Sequence, residues 1–193
     1  MGVIRKKKFV TLPVVLNNRM RSMAVLDLVL YPDDPLTQKA LPVEAVTDEY
    51  ERLAANMLET MHAYEGVGLA GPQVGVSQRI FVLQEPEGKP MCFINPEILD
   101  REGSQDGEEG CLSLPHVYCA VPRATRIRVR ALNEQGKAFE LDARDFLARI
   151  IQHEYDHLDG IMILERVDVI TRQEKLEEWD QIRRQLAAAT HDG

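Results

Sequence analysis

Asp142-Ala-Arg-Asp-Phe-Leu-Ala-Arg-Ile-Ile-Gln-His-Glu-Tyr-Asp-His-Leu-Asp-Gly160 is the stretch from which the rest of the chain can be read. Its residues predict a helix. Asp142 is a good N-cap, Asp145 three residues on suits the positive helix end, and Gly160 is a C-cap residue. Phe146, Ile150, His153 and His157 follow spacings of four, three and four, so they share one face. An apolar stripe that runs into two histidines carries those histidines inside the protein. At i and i+4 both imidazoles reach a single ion, while Glu154 points about a quarter-turn aside, near enough to touch a water there. A lone buried histidine is usually hydrogen-bonded core. Two of them flanking a glutamate on a buried face favour a metal.

Two histidines do not complete a catalytic centre, which commonly has three protein ligands and one open position. The long pattern H-E-x-x-H-x-x-G-x-x-H is nearly present, since Gly160 falls in place, but its last position is Ile163. A downstream Glu165 or Glu174 would give a zincin-type peptidase. The other candidate is Cys111, presented beside flexible Gly110 in Glu109-Gly-Cys-Leu-Ser113. Taken alone, a free cysteine is more often a small buried apolar residue.

Outward from the histidines the chain alternates unevenly. Thr47 can cap a helix in which Leu53, Met57, Leu58 and Met61 recur at helical spacing, ending near Gly66. Arg79–Leu83 and Met91–Ile94 have the composition of strands. Arg126–Leu132 alternates basic with apolar residues, and Asn133–Gly136 supplies a turn into a return strand at Ala138–Leu141. A third amphipathic helix is expected over Thr171–Leu186. Strands gathered before and between separated helices indicate α+β. We expect small antiparallel sheets packed around the central helix that carries H-E-x-x-H, with a C-terminal helix.

The 193 residues fit one domain, expected to span 23–193. Three cysteines argue against a disulfide framework. No apolar run approaches the roughly 20 residues needed to cross a bilayer. Residues 1–22 hold six basic residues and no acid. Taking those six from the 23 basic residues leaves 17 against 31 acids, a net −14 for the rest. Such a body repels phosphates, so no nucleic-acid groove is expected. The basic head is read as an extension ahead of the domain, with an organellar targeting segment as the alternative.

Three segments together resemble the peptide deformylase family. Gly66-Val-Gly-Leu-Ala-Gly-Pro-Gln73 is similar to G-x-G-L-A-A-P-Q, Glu109-Gly-Cys-Leu-Ser113 to E-G-C-L-S, and Gln152-His-Glu-Tyr-Asp-His-Leu-Asp-Gly160 to Q-H-E-x-D-H-L-x-G. They occur in the family's order, and the likeness runs from about Met23 to Val167. Gly71 departs from the first motif, and a missing methyl there is expected to loosen the backbone beside Gln73.

The resemblance implies a metal-dependent hydrolase that removes the formyl group from formyl-methionyl nascent chains and releases formate. It implies Cys111, His153 and His157 as ligands of one divalent metal: Fe(II) in the cell, with Zn, Ni or Co as substitutes. It implies Glu154 as the group that takes the water's proton and hands it to the leaving amine. Gln73 and the Leu112 backbone N–H are the implied donors to the oxyanion. Gly66, Val67 and Gly68 are implied to pair with the substrate backbone, as an added strand does. Phe146 and Ile150 either line the methionine pocket or pack in the core. Arg123 and Asp156 are either partners behind the ligands or a solvated ion pair. The implied setting is the bacterial cytoplasm or an organelle, with the ribosome as a candidate partner for the C-terminal helix. The alternatives are the zincin-type peptidase and a non-catalytic nascent-chain or metal-binding relative.

Overall fold

In the computed structural model, which describes residues 24–189, the Thr47 hydroxyl accepts from the Glu49 N–H and opens helix α1 (Asp48–Ala63). Residues 1–22 and Met23 lie outside the described part of the chain. Acids in the first turn of α1 complement the helix dipole. Ala54, Met57 and Met61 on its buried face pack with Leu69, Ile80, Val82, Cys92 and Ile94.

Those partners belong to an antiparallel sheet of five strands: β1 (Gly68–Ala70), β2 (Ile80–Leu83), β3 (Met91–Glu102), β6 (Arg126–Leu132) and β7 (Ala138–Arg144), in that spatial order. Strand β1 is therefore an outer strand. The remaining two strands, β4 (Gln105–Cys111) and β5 (Leu114–Arg123), form a separate antiparallel hairpin. Helix α2 (Asp145–Leu158) lays Ala148, Ile150, Ile151 and Leu158 on Phe81, Phe93, Ile127 and Val129 of the larger sheet. Phe81 and Phe93 stack with centroids 4.6 Å apart, a contact that adds about 0.5–1.5 kcal/mol beyond area burial.

Helix α3 (Val169–Ala189) is fastened to the hairpin. Trp179, 1% exposed, packs with Leu114, Val117 and Val121, and its indole N–H donates to the Tyr31 carbonyl at 2.9 Å. Among the described residues no helix is long and apolar enough to cross a membrane. The architecture is α+β, with small antiparallel sheets around the histidine-bearing helix.

Two expectations are corrected and one element is added. Helix α2 begins at Asp145 with Arg144 as its N-cap, not at Asp142. Strand β7 stays paired with β6 through Arg144, and Asp142 bonds Arg126 at 2.7 Å across the ladder, so its carboxylate is not free to cap. The hairpin β4–β5 had no counterpart in the sequence reading. Gly71 is not loose: a β-carbon there would stand 2.8 Å from the Val76 carbonyl oxygen and 3.0 Å from that of Gln78, so the glycine permits close packing.

Candidate metal centre

Helix α2 holds its two histidines one turn apart with their rings edge-to-face, 4.9 Å between centroids. Their Nε2 atoms approach to 3.3 Å. The hairpin brings the third group: Cys111, at the end of β4, sets its Sγ 3.4 Å from His157 Nε2. The ligand atoms of Cys111, His153 and His157 all lie within 4.8 Å of one another, the metal-capable cluster among the described residues. Glu165 and Glu174 stand apart from it. Glu165 is committed to the Met162 N–H and to Arg172, and Glu174 is exposed.

The spacing fits a cation. Two imidazole nitrogens at about 2.0–2.1 Å from one tetrahedral ion stand roughly 3.3–3.4 Å apart, and a thiolate at about 2.3 Å stands roughly 3.5 Å from either. Hydrogen placement agrees. The Glu109 carboxylate lies 2.9 Å from His153 Nδ1. That carboxylate already accepts from Arg123 at 2.9 Å through both oxygens and from Arg149 at 2.7 Å. Burial raises its pKa, but hydrogen bonds from His153 and Arg123 outweigh that and hold it down at about 2. An ionised carboxylate only accepts, so Nδ1 carries a proton, which leaves Nε2 as the ring nitrogen that would face a cation.

The ion network continues along α2 to Asp156, three residues beyond His153. Arg123 reaches Asp156 at 2.5 Å, and Arg166 closes on the same carboxylate through two nitrogens. Arg123 and Asp156 are 5% and 6% exposed, which rules out the solvated-pair reading. Removing one partner of such a buried pair strands a charge and costs about 3–5 kcal/mol.

Glu154, 3% exposed, is different: among the described residues its Oε2 has no hydrogen-bond partner. Burial raises the carboxyl pKa to about 7, against the opposing charge of His153. For His153 burial opposes protonation, but hydrogen bonds to Cys111 and Glu109 and the Glu154 charge raise it well above the ordinary imidazole value. Burial and the charges of His153 and Arg123 push His157 well below that value. Leaving a buried polar atom unpaired costs about 1–3 kcal/mol. The cluster therefore contains an acid–base group beside three ligand atoms, held near neutrality.

A cleft of about 840 Å³ opens onto this group. Gly66, Val67 and Gly68 border it from the β1 side, and Phe146 and Ile150 from α2. Phe146 is 48% exposed, which excludes it from the core, while Ile150 is buried and touches both core and cleft. Gln73 and Leu112 also line the cleft. The Gln73 Oε1 accepts from the Ala70 N–H at 2.8 Å, which aims its Nε2 toward Cys111 Sγ at 3.4 Å and Ser113 Oγ at 3.3 Å. The sequence reading missed the parts of Glu109 and Arg149. Glu109 lies two residues before Cys111 on a strand and Arg149 four before His153 on a helix, so same-face spacing was the available signal.

Residues 25–173 match the family model described as Polypeptide deformylase. A peptide deformylase of Alkalilimnicola ehrlichii is 46% identical over 174 residues, covering 89% of this chain and 94% of the other. The crystal structure of a peptide deformylase from Legionella pneumophila superposes with a TM-score of 0.81 at 36% identity, covering 85% of this chain and 98% of that one. A class I type b peptide deformylase from Acinetobacter baumannii, solved with Met-Ala-Ser bound, aligns with a TM-score of 0.73 at 37% identity over 76% of this chain and 100% of that one.

Proposed function

The chain belongs to the polypeptide deformylase family and is a hydrolase that removes the N-terminal formyl group from nascent peptides; we propose that it does so at Cys111, His153 and His157 with Glu154 moving the proton. The observation that carries this assignment is the buried Glu154 carboxyl, its Oε2 without a hydrogen-bond partner among the described residues, beside three converging ligand atoms, with Cys111, His153 and Glu154 lining the cleft.

Cys111, His153 and His157 would hold one divalent cation, which we take to be Fe(II) in the cell, with Zn, Ni or Co able to replace it. When bound, the cation supplies a Lewis acid that polarises the formyl carbonyl and acidifies water. Glu154, with a pKa of about 7, accepts a proton from the attacking water near its own pKa and then protonates the departing amine nitrogen. The C–N bond breaks, and formate and a free N-terminus leave. The Gln73 Nε2 and the Leu112 backbone N–H donate to the carbonyl oxygen as charge develops on it.

Substrate binding follows from the sheet. Strand β1 is an outer strand bordering the cleft, so the chain at Gly66, Val67 and Gly68 can take an extended peptide as one further strand. Phe146 and Ile150 receive the first side chain, methionine in the natural substrate. The Met-Ala-Ser peptide held by the Acinetobacter baumannii relative is of this chemical kind. The substrates are formyl-methionyl chains met at the ribosome, in the bacterial cytoplasm or an organelle.

An anaerobic formate-release assay on formyl-Met-Ala-Ser, with metal quantified in the same sample, tests the assignment. Formate should appear in proportion to bound Fe(II) and vanish on chelation. Turnover that survives complete metal removal overturns it.

A further inference from the structure

Arg149 faces the cleft from α2, one turn before His153, yet it is 8% exposed and its guanidinium is committed to the hairpin opposite. Its Nη1 lies 2.7 Å from Glu109 Oε1, 2.8 Å from the Val121 carbonyl and 3.3 Å from the Gly107 carbonyl. Its Nη2 donates to the Gln105 carbonyl at 2.8 Å. These acceptors lie on both strands of the hairpin, so one side chain of the helix grips β4 and β5 together.

Gly107 makes the grip fit. A β-carbon there would stand 2.8 Å from both Cζ and Nη2 of Arg149 and 3.0 Å from Nε, squarely against the guanidinium. A guanidinium bonded to several acceptors is not a free chain end that swings aside, so space at residue 107 and the bonds of Arg149 are one requirement. Gly107, Glu109 and Cys111 lie two apart along β4 and turn to the same, more buried side of the strand. Arg149 meets the first two, and the third is the thiol.

We propose that Arg149 is a positioning residue of the metal centre: held through Gly107 and Glu109, it fixes the hairpin at the separation from α2 that brings Cys111 to His153 and His157. The proposal rests on the reading that these three residues hold a cation. It assigns Arg149 no contact with the reacting atoms.

The test uses the whole chain loaded with Co(II), whose thiolate charge-transfer band reports the cysteine ligand. The rate of Co(II) release to a chelator is followed well below each variant's Tm. Arg149→Met keeps an unbranched stem and removes every donor. It should release Co(II) roughly 10–100-fold faster, the usual range for losing a group that orients a ligand, with a weaker charge-transfer band. Gly107→Ala should act in the same direction, and should add almost nothing in the Arg149→Met background. Release at the wild-type rate from Arg149→Met, or effects that multiply independently in the double variant, overturns the proposal. Should Arg149→Met not fold, Gly107→Ala decides alone: a wild-type band and release rate sink the idea, and faster release supports it. An unchanged chain that takes up no Co(II), or a Cys111→Ser variant with an unaltered band, overturns the ligand assignment instead.

Discussion

Glu154 occupies the space that a side chain on Gly68 would need: its Cδ lies 2.7 Å, and its Cγ 2.9 Å, from where that β-carbon would stand. The group proposed to move the proton is thus seated on the bare backbone of strand β1, the strand proposed to take the substrate. Gly68→Ala should displace the Glu154 carboxyl while leaving the ligand atoms of the cluster in place. We expect deformylation to fall by roughly 10²-fold, the lower range for losing positioned proton transfer, with metal content near one per chain. A kinetic assay with metal quantified checks this; unchanged turnover would mean the carboxyl relocates without consequence.

Glu154→Gln isolates the charge from the position. The amide keeps the shape and cannot accept the water's proton. Metal should stay at about one per chain, and turnover should drop roughly 10²–10⁴-fold. Loss of metal from this variant would make Glu154 a ligand, contrary to its role here.

Cys111→Ser replaces a soft anionic donor with a hydroxyl. Metal retention through gel filtration should fail and formate release should vanish, because a thiolate ligand contributes both charge and polarisability. Alanine at Cys92 or Cys119 should do neither. Cys119 is the sharper control, buried at 2% exposure in the same hairpin. Metal loss from Cys119→Ala equal to that from Cys111→Ser would show that the cluster depends on hairpin packing and not on the thiol.

The helices and the metal motif were legible because both depend on periodicity. Thr47 caps α1 through its own hydroxyl, and Phe146, Ile150, His153 and His157 share a face of α2 whatever surrounds them. Hairpin β4–β5 was not legible. Strand β4 reads Gln-Asp-Gly-Glu-Glu-Gly-Cys, almost without apolar residues, and is held by Arg123 and Arg149 from elsewhere in the chain. Its partner β5 does alternate buried and exposed, but Pro115 and Pro122 interrupt the pattern in sequence. The start of α2 was misread for a related reason, since Asp142 is a strong capping residue until Arg126 claims its carboxylate. For β4 and for the start of α2, an ion pair with a residue distant in sequence overrode a local preference.

The thiol of Cys92 makes alkaline stability testable away from the site. Burial, reinforced by the Glu134 charge, pushes its pKa from 9.0 to about 12. The folded chain then keeps a proton that the unfolded chain gives up. The stability this contributes is whole below about pH 9 and is lost as pH rises toward 12. Cys92→Ala has no such group, so its Tm should fall less steeply than the parent's across that window. Parallel curves would show that the thiol ionises as easily in the fold as out of it.

A chain beginning at Met23 should fold and deformylate at nearly the full rate. The family match starts at residue 25. Thermal melting beside formate release decides it: a collapse in Tm would make residues 1–22 part of the domain.

The division of the ligand atoms between a hairpin and a helix also bears on the polymer. An ion shared by Cys111 and His153 joins positions 42 residues apart in the chain. It would act as a reversible cross-link, and a permanent tie of that span removes about 4 kcal/mol of loop-closure entropy from the unfolded chain in the simplest model. Strands β5, β6 and β7 all lie inside that loop. The same three side chains that arrange the chemistry would thus tie the chain's connectivity, and in the unfolded chain that loop would stay closed only while they share one ion.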